Sequence, residues 1–294
     1  MHPDSICAVV VTYNPCAGDV ANLAGIRRQV SGLVVVDNGS PIGSLDTFPI
    51  NNGDPNVAII RNGRNLGLPA ALNIGIRWAA DHDYEWVILF DQDSTVTDGF
   101  VQAMLRTYWE HPRREEVGIV APLYISRTTG DVIANSPRFV GKGLLRAAMT
   151  SGSLIPMKIV KKYGEYEERL FIDYLDYEYS LRLRSQGLII VQSSEAQLLH
   201  ELGFSVTRSL PCGLRLTLMN HKAERVYYLM RNRVWVTMRY GHTFPGLYIR
   251  NLLGQLYLVA TTVLFEKQKF KKLWYSLRGL IDGLLGRMGM TIPL

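Results

Sequence analysis

The sequence predicts an α/β fold built on a mostly parallel sheet, and three observations predict it. Short β-branched runs recur through the first half of the chain, at 7–13, 30–40, 57–62, 85–93 and 117–122. Segments of helix length lie between them, at 18–29, 67–82 and 97–110. Polar residues gather where the first four runs end. Strands alternating with helices form right-handed βαβ units, and such sheets take their ligands outside the carboxyl ends of the strands.

Taken in order, the elements place one polar set at that edge. CAVVVTY leads to Thr12, Tyr13 and Asn14. VSGLVVVDNGS closes on Asp37, Asn38, Gly39 and Ser40. The run VAIIRN precedes Asn65, Leu66 and Gly67, and EWVILFDQD ends in Asp91, Gln92 and Asp93. Beyond a loop-rich stretch at 123–150, FIDYLDYEYSLRLRSQG (171–187) reads as a helix. Its apolar residues are Leu175, Tyr179, Leu181 and Leu183, with Gly187 at its end. LIIVQ (188–192) reads as a strand, and basic helical segments run from about 214 to the end. The expected organisation is a catalytic domain over 1–240 and a helical extension over 241–294.

Composition excludes several classes. At 294 residues and 47% hydrophobic, the chain is neither a disulfide-stapled miniature nor a disordered polymer. Cys7, Cys16 and Cys212 are widely spaced without a CxxC, which argues against structural zinc and for reduced thiols in a cytosolic setting. MHPDSICAVVVTYNP lacks a basic start and a long apolar core, so it reads as a first strand and not a signal peptide. Net charge is +6, but residues 200–294 hold 14 Lys/Arg against 4 Asp/Glu, which leaves −4 on residues 1–199. A basic rear half suits phosphorylated ligands, nucleic acid or an anionic membrane surface; a merely solvated basic face is the plain alternative.

Asp91-Gln92-Asp93 is the strongest local signal. Two carboxylates emerge from a very apolar strand, with no Lys or Arg beside them in sequence, and would repel unless a cation intervened. Hard oxygen ligands suit Mg²⁺ or Mn²⁺ shared with substrate phosphates; a turn or helix-capping acid is the alternative. Asp37 is placed to accept hydrogen bonds from a ribose or base, although Asn38-Gly39 also makes a plain turn. No GxGxxG follows the first strand, which disfavours a nicotinamide Rossmann enzyme. Asn65 to Asn73 opens a helix whose amino terminus favours an anion, and Gly67 removes a side chain where backbone must approach closely.

VVTYNP, VVDNGS, NLGLPAALNIGI, FDQDS, DYLDYEYSLRLRSQG, HELGFS and RVYYLMRNR occur in this order and spacing. Together they resemble the inverting family 2 glycosyltransferases of GT-A type, and within them bacterial dTDP-rhamnosyltransferases, over roughly residues 6–240. The resemblance implies a GT-A-type nucleotide-diphospho-sugar transferase fold. It implies a donor across the first-half loops, touching Thr12, Tyr13, Asn14, Asp37, Asn38, Asn65, Gly67, Asp91 and Gln92. It implies Mg²⁺ or Mn²⁺ on Asp91, Asp93 and His200, and a general base late in the domain. The family has a Glu-Asp pair there; this chain has Leu175-Asp176, so Asp176 takes the base position. Asp173 would orient the acceptor or replace the missing Glu, and Glu178 would bind a neighbouring loop. A solvated acidic helix face paired with Arg182 and Arg184 is the alternative for all three. Arg225 and Arg231 would clamp the diphosphate, because guanidinium forks bind phosphate bidentately.

The implied reaction moves a sugar, L-rhamnose from dTDP-β-L-rhamnose, to a hydroxyl of a growing, lipid-linked cell-surface polysaccharide. A UDP-hexose or UDP-galactofuranose donor and a non-catalytic nucleotide-sugar or nucleic-acid binding module are the alternatives. No RNP, KH or helix-turn-helix pattern accompanies the basic cluster, so nucleic acid is not expected. The uncharged segment 251–265 has 15 residues against the ~20 of a spanning helix and reads as buried or interfacial. After it, Phe270, Leu273, Trp274, Leu277, Leu280, Ile281, Leu284 and Leu285 recur at helical spacing, opposite Lys271, Lys272, Ser276, Arg278 and Asp282. A basic amphipathic helix over 266–287 fits an anionic membrane surface, or packing on the domain, or a homo-oligomer. The expected location is cytoplasmic, peripheral on the inner face of the cell membrane.

Overall fold

The computed structural model describes residues 5–41, 43, 54–133, 139–141, 143–200, 206–209, 215–218 and 221–293. The chain divides into two compact units: residues 1–171 with 175–201, and residues 172–174 with 202–294. The expected boundary at 240 falls inside the second unit.

The first unit is organised by a mixed sheet. One parallel part consists of β1 (Ile6–Thr12), β2 (Gly32–Asp37), β3 (Val57–Arg61) and β4 (Trp86–Asp91), in the order β3-β2-β1-β4. These are the first four apolar runs, and β1 and β2 are buried along their whole length. Several short strands were not legible. β5 (Thr95–Val96) and β9 (Leu154–Pro156) are too brief to show a period, and β9 inserts antiparallel between β4 and β6 (Val117–Ser126). The sheet continues through β10 (Ile189–His200) to β8 (Leu144–Leu145) and β7 (Phe139–Gly141). The expected loop at 123–150 therefore gives part of its length to strands.

Alternation along β1 feeds two cores. Ala8 and Val10 join Leu23 and Ile26 of α1 (Ala17–Arg27) and Phe100, Met104 and Tyr108 of α3 (Phe100–Glu110). On the other face Val9 meets α2 (Leu68–Asp81) so closely that a Cβ on Gly75 would lie 2.3 Å from Val9 Cγ1. The helix expected over 171–187 begins only at Leu175, as α5 (Leu175–Ser185), preceded by α4 (Met157–Tyr163). Phe171, Asp173 and Tyr174 have φ of +65°, +60° and +66°, a region that excludes them from a right-handed helix.

The second unit holds the hairpin β11 (Val206–Ser209) and β12 (Arg215–Leu218), then α6 (Ala223–Tyr240), α7 (Gly246–Phe265) and α8 (Lys269–Leu284). The α6 and α8 helices pack together closely.

Candidate active site

At the carboxyl edge of the parallel strands the polar residues expected to bind a ligand are first bound to one another. Asp37 is only 3% exposed. Its carboxylate accepts from Thr12 Oγ1 at 3.3 Å, from the Ser40 amide at 3.1 Å and from Ser40 Oγ at 2.5 Å. A carboxylate has about four acceptor positions, so Asp37 has at most about one left for a nucleoside. Asn38 Oδ1 accepts from Asn62 Nδ2 at 3.2 Å and from the Leu66 amide at 3.0 Å. Asn38 Nδ2 donates to Asn65 Oδ1 at 3.0 Å, which also accepts from the Gly67 amide at 2.9 Å. Asn38 and Asn65 thus stitch the loop after β2 to the entrance of α2. These side-chain atoms, expected at the donor, are engaged with neighbouring loops.

Gly67 has φ +89°, and a Cβ there would lie 2.6 Å from the Phe171 ring and 2.7 Å from its carbonyl oxygen. The Leu68 amide donates to that carbonyl at 2.8 Å. The close approach read from the sequence is therefore to the chain entering α5. One turn on, buried Asn73 donates to Tyr166 O at 2.9 Å and accepts from the Tyr166 amide at 3.0 Å. The α2 helix so fixes the segment leading to Asp176.

Asp91, Gln92 and Asp93 stand partly exposed where β4 ends. Gln92, expected at the donor, has its side chain engaged: Oε1 accepts from the Tyr13 amide at 2.8 Å and Nε2 donates to Asp19 Oδ2 at 3.1 Å. It ties the β1 loop to α1. Asp19 was missed by the sequence reading; it also accepts from the Cys16 amide at 2.8 Å, capping α1. Ser151 was missed too. It is buried, accepts from the Asp91 amide at 3.3 Å, and shares a 2.6 Å hydrogen bond with Ser94 Oγ. Arg127, remote in sequence, also reaches this end of β4: its guanidinium donates to the Asp93 carbonyl and, at 2.8 Å, to Thr95 Oγ1. The Tyr13 side chain is exposed, and the Asn14 amide is held by Ser40 Oγ at 2.8 Å.

Two partly exposed carboxylates are hard oxygen donors that fit Mg²⁺ or Mn²⁺ and leave positions for phosphate and water. Among the described residues no group of three or more His, Cys, Asp or Glu is assembled for a metal. Among the described residues, Asp91 and Asp93 are the carboxylates that would hold such an ion. The His200 side chain, the third expected ligand, lies outside the described part, as does HELGFS beyond it.

Asp176 occupies the first turn of α5, half-buried, with Oδ1 accepting from the Tyr177 amide at 2.8 Å. Acids are favoured at a helix amino terminus by the helix dipole. Glu178 is buried and bonded to Arg182 at 3.1 and 3.0 Å. Arg182 also donates to the carbonyls of Tyr163 and Glu165, at 2.7 and 2.6 Å. Glu178 thus holds a neighbouring loop through Arg182. Burial raises the pKa of Tyr166 and of Tyr179, whose rings stack 4.5 Å apart behind this helix.

In the second unit Arg225 donates to both oxygens of Asp173, at 3.1 and 2.9 Å. Asn232 Nδ2 donates to the carbonyls of Ile172 and Asp173, at 2.7 and 3.0 Å. Asp173 is thereby a strut of its segment. Arg231, expected to clamp diphosphate, is fully buried. It donates to Asn232 Oδ1 at 2.9 Å and Gly289 O at 2.6 Å, and lies over the Tyr228 ring at 4.8 Å. The basic-aromatic cluster is largely core, because α8 and the chain after it cover this side of α6.

Comparison with known proteins agrees with this fold. Residues 7–134 match the model of the glycosyl transferase family 2. The fold aligns with mannosyltransferase PcManGT from Pyrobaculum calidifontis, solved with GDP-Man and Mn²⁺, at TM-score 0.61 and 14% identity over 96% of this chain and 88% of that one. It aligns with TarS 1-349 from S. aureus at TM-score 0.58 and 12% identity, over 96% and 82% of the two chains. Against GalNAc-T7, solved with UDP, GalNAc and Mn²⁺, the TM-score is 0.59 at 14% identity; the match covers 80% of this chain and spans 48% of the length of that one. The match to the family 2 glycosyl transferases covers residues 7–134, the fold is of GT-A type, and the protein is a glycosyltransferase. Among named relatives it is similar to the dTDP-rhamnosyl transferase RfbF of Shigella flexneri, at 28% identity over 299 residues and 97% of each chain.

Proposed function

We propose that the protein transfers L-rhamnose from dTDP-β-L-rhamnose, with inversion, to a hydroxyl of a growing lipid-linked cell-surface polysaccharide at the inner face of the membrane. The observation that supports the reaction is that one unit holds both Asp91 and Asp93 at the sheet edge and Asp176 opening α5. The donor named here is supported by the full-length similarity to RfbF. Asp91 and Asp93 would hold Mg²⁺ or Mn²⁺, which when bound offsets charge developing on the diphosphate. Asp176 takes the acceptor hydroxyl proton as the oxygen bonds to the anomeric carbon; the bond from that carbon to the diphosphate oxygen breaks and dTDP leaves. The exposed Tyr13 ring offers a stacking face for the base. A glycosidase is disfavoured, since that chemistry needs two carboxylates flanking a glycosidic bond and no nucleotide site. The test is nucleoside diphosphate release by the purified chain, with Mg²⁺ or Mn²⁺, from dTDP-β-L-rhamnose, UDP-hexoses and UDP-galactofuranose. Release from dTDP-β-L-rhamnose alone is expected. Turnover of a UDP-sugar without turnover of dTDP-rhamnose overturns the donor.

A further inference from the structure

Helix α8 is amphipathic in the reverse sense of a helix on a soluble protein. The residues it buries are Lys272, Ser276, Gly279, Asp282 and Gly283. They face α6: Tyr227 Oη donates to Asp282 Oδ2 at 2.8 Å, and Cβ atoms on Gly279 and Gly283 would lie 2.5 and 2.6 Å from backbone oxygens of Tyr227 and Arg231. Lys272 is neutralised inside by Glu266 at 2.5 Å. The apolar stripe points away. Phe270 is 91% exposed and Trp274 63%, and Leu277, Ile281 and Leu284 continue the stripe in the open.

Helix α7 repeats the inversion. Its buried residues are Leu247, Asn251, Thr261 and Thr262, whereas Ile249, Leu252, Leu253, Leu256 and Leu264 are exposed. By length and composition alone this helix could cross a membrane, but one side of it stays packed on α6 and α8. A helix in water turns its apolar stripe inward. Two neighbouring helices that turn polar groups inward and leucines outward fit an apolar surrounding on their outer side.

The rim identifies that surrounding. Over 246–293 the acidic side chains are Glu266 and Asp282, and both are buried. Lys267 and Lys269 are exposed, as are Lys271, which pairs with Glu224 at 2.7 Å, and Arg278 and Arg287, which stand 3.7 and 3.6 Å from the Asp282 carboxylate. A groove along α8 repeats the pairing, with Trp274, Leu277 and Ile281 beside Arg278 and Arg287. A second copy meeting this face about a two-fold axis would set the same cations against one another. Anionic headgroups over acyl chains complement both halves of the pattern. From this we infer that α7 and α8 dock into one leaflet of an anionic bilayer, with leucines and aromatic rings among the acyl chains and lysines and arginines at the lipid phosphates. The inference rests on the membrane location proposed above and names the helices, the lipid class and the buried-polar arrangement that serve it.

Vesicle flotation of the full chain tests it without donor or acceptor. Phosphatidylcholine vesicles containing phosphatidylglycerol should bind about tenfold more protein than phosphatidylcholine alone. The excess should vanish at 1 M salt, where charge is screened within about 3 Å. Brominated lipid should quench Trp274 fluorescence, and Trp274→Phe should lose that quenching. Leu253→Ser/Leu256→Ser and Phe270→Ser/Trp274→Ser should each lower binding about tenfold while keeping the wild-type melt, because exposed side chains leave no cavity. Wild-type protein that stays unbound to both vesicles overturns the inference, as do paired-serine variants that float like wild type. A dimer in light scattering that these variants dissociate gives the face to a second copy instead. Turnover of a water-soluble acceptor by the same variants should be unchanged, so a failed membrane face and a failed glycosyl transfer reading are told apart.

Discussion

At the scale of single residues the first unit separates groups that shape the site from groups left to act. Asp37, Asn38, Asn65 and Gln92 spend their polar atoms on neighbouring loops. Asp176 stands half-buried at a helix start, with Oδ1 accepting from the Tyr177 amide. Asp176→Asn keeps size and most hydrogen bonding but cannot take a proton. Its turnover should fall by about 10²–10⁴, the usual worth of a general base, with donor affinity by calorimetry nearly intact. Lost donor affinity would move Asp176 into the donor site. A second residue-scale expectation concerns Cys7. Burial pushes its thiol up to about 12, against a smaller opposing effect of the Val34 backbone. The thiolate is the reactive form, so at pH 8 Cys7 should resist thiol reagents that modify exposed Cys16. In a Cys212→Ser background, one fast thiol before denaturation and a second only after it is the expected titration.

At the scale of elements, legibility followed length and period. The β1, β2, β3 and β4 runs and helices α1, α2 and α3 announced themselves by apolar periodicity. β5 and β9 did not, because two or three residues carry no period, and β9 is placed by its antiparallel partners. The start of α5 was misread because composition cannot reveal a positive φ. Three residues with side chains hold left-handed backbone there, at about 1–3 kcal/mol each, and backbone hydrogen bonds such as Leu68 N to Phe171 O hold the chain in place. Of the candidate site, the carboxylates and the loop sequence were legible. Arg127, Ser151 and Asp19 were not, since each comes from an element remote in sequence. Gly67→Ala probes this element directly. The new Cβ meets Phe171 at φ +89°, so about 1–3 kcal/mol of destabilisation is expected, roughly 2–4 °C of melting temperature per kcal/mol. A Gly67→Ala protein that melts with wild type and turns over normally would show that the contact with Phe171 is dispensable.

At the scale of the whole molecule, two compact units carry different chemistry and should answer to different perturbations. The first holds Asp91 and Asp93, so under the proposed function dTDP with Mg²⁺ should bind its folded form alone. At a hundredfold excess over the dissociation constant this stabilises it by about 2.7 kcal/mol. The second holds His221, whose pKa is lowered from 6.5 by burial first and by Arg225 next. A histidine kept neutral in the fold takes up a proton more readily when unfolded. Its contribution is complete above about pH 6.5 and is lost as the pH falls from there toward the lowered folded value. Scanning calorimetry of the full chain should therefore show two movements. Nucleotide with Mg²⁺ should raise one transition, and Asp93→Ala should abolish that rise. Acidification from pH 7 to pH 5 should lower the other, and His221→Gln should flatten that fall. If nucleotide and acid move the same transition in every variant, the two units unfold as one and the assignment of each response to its own unit is wrong.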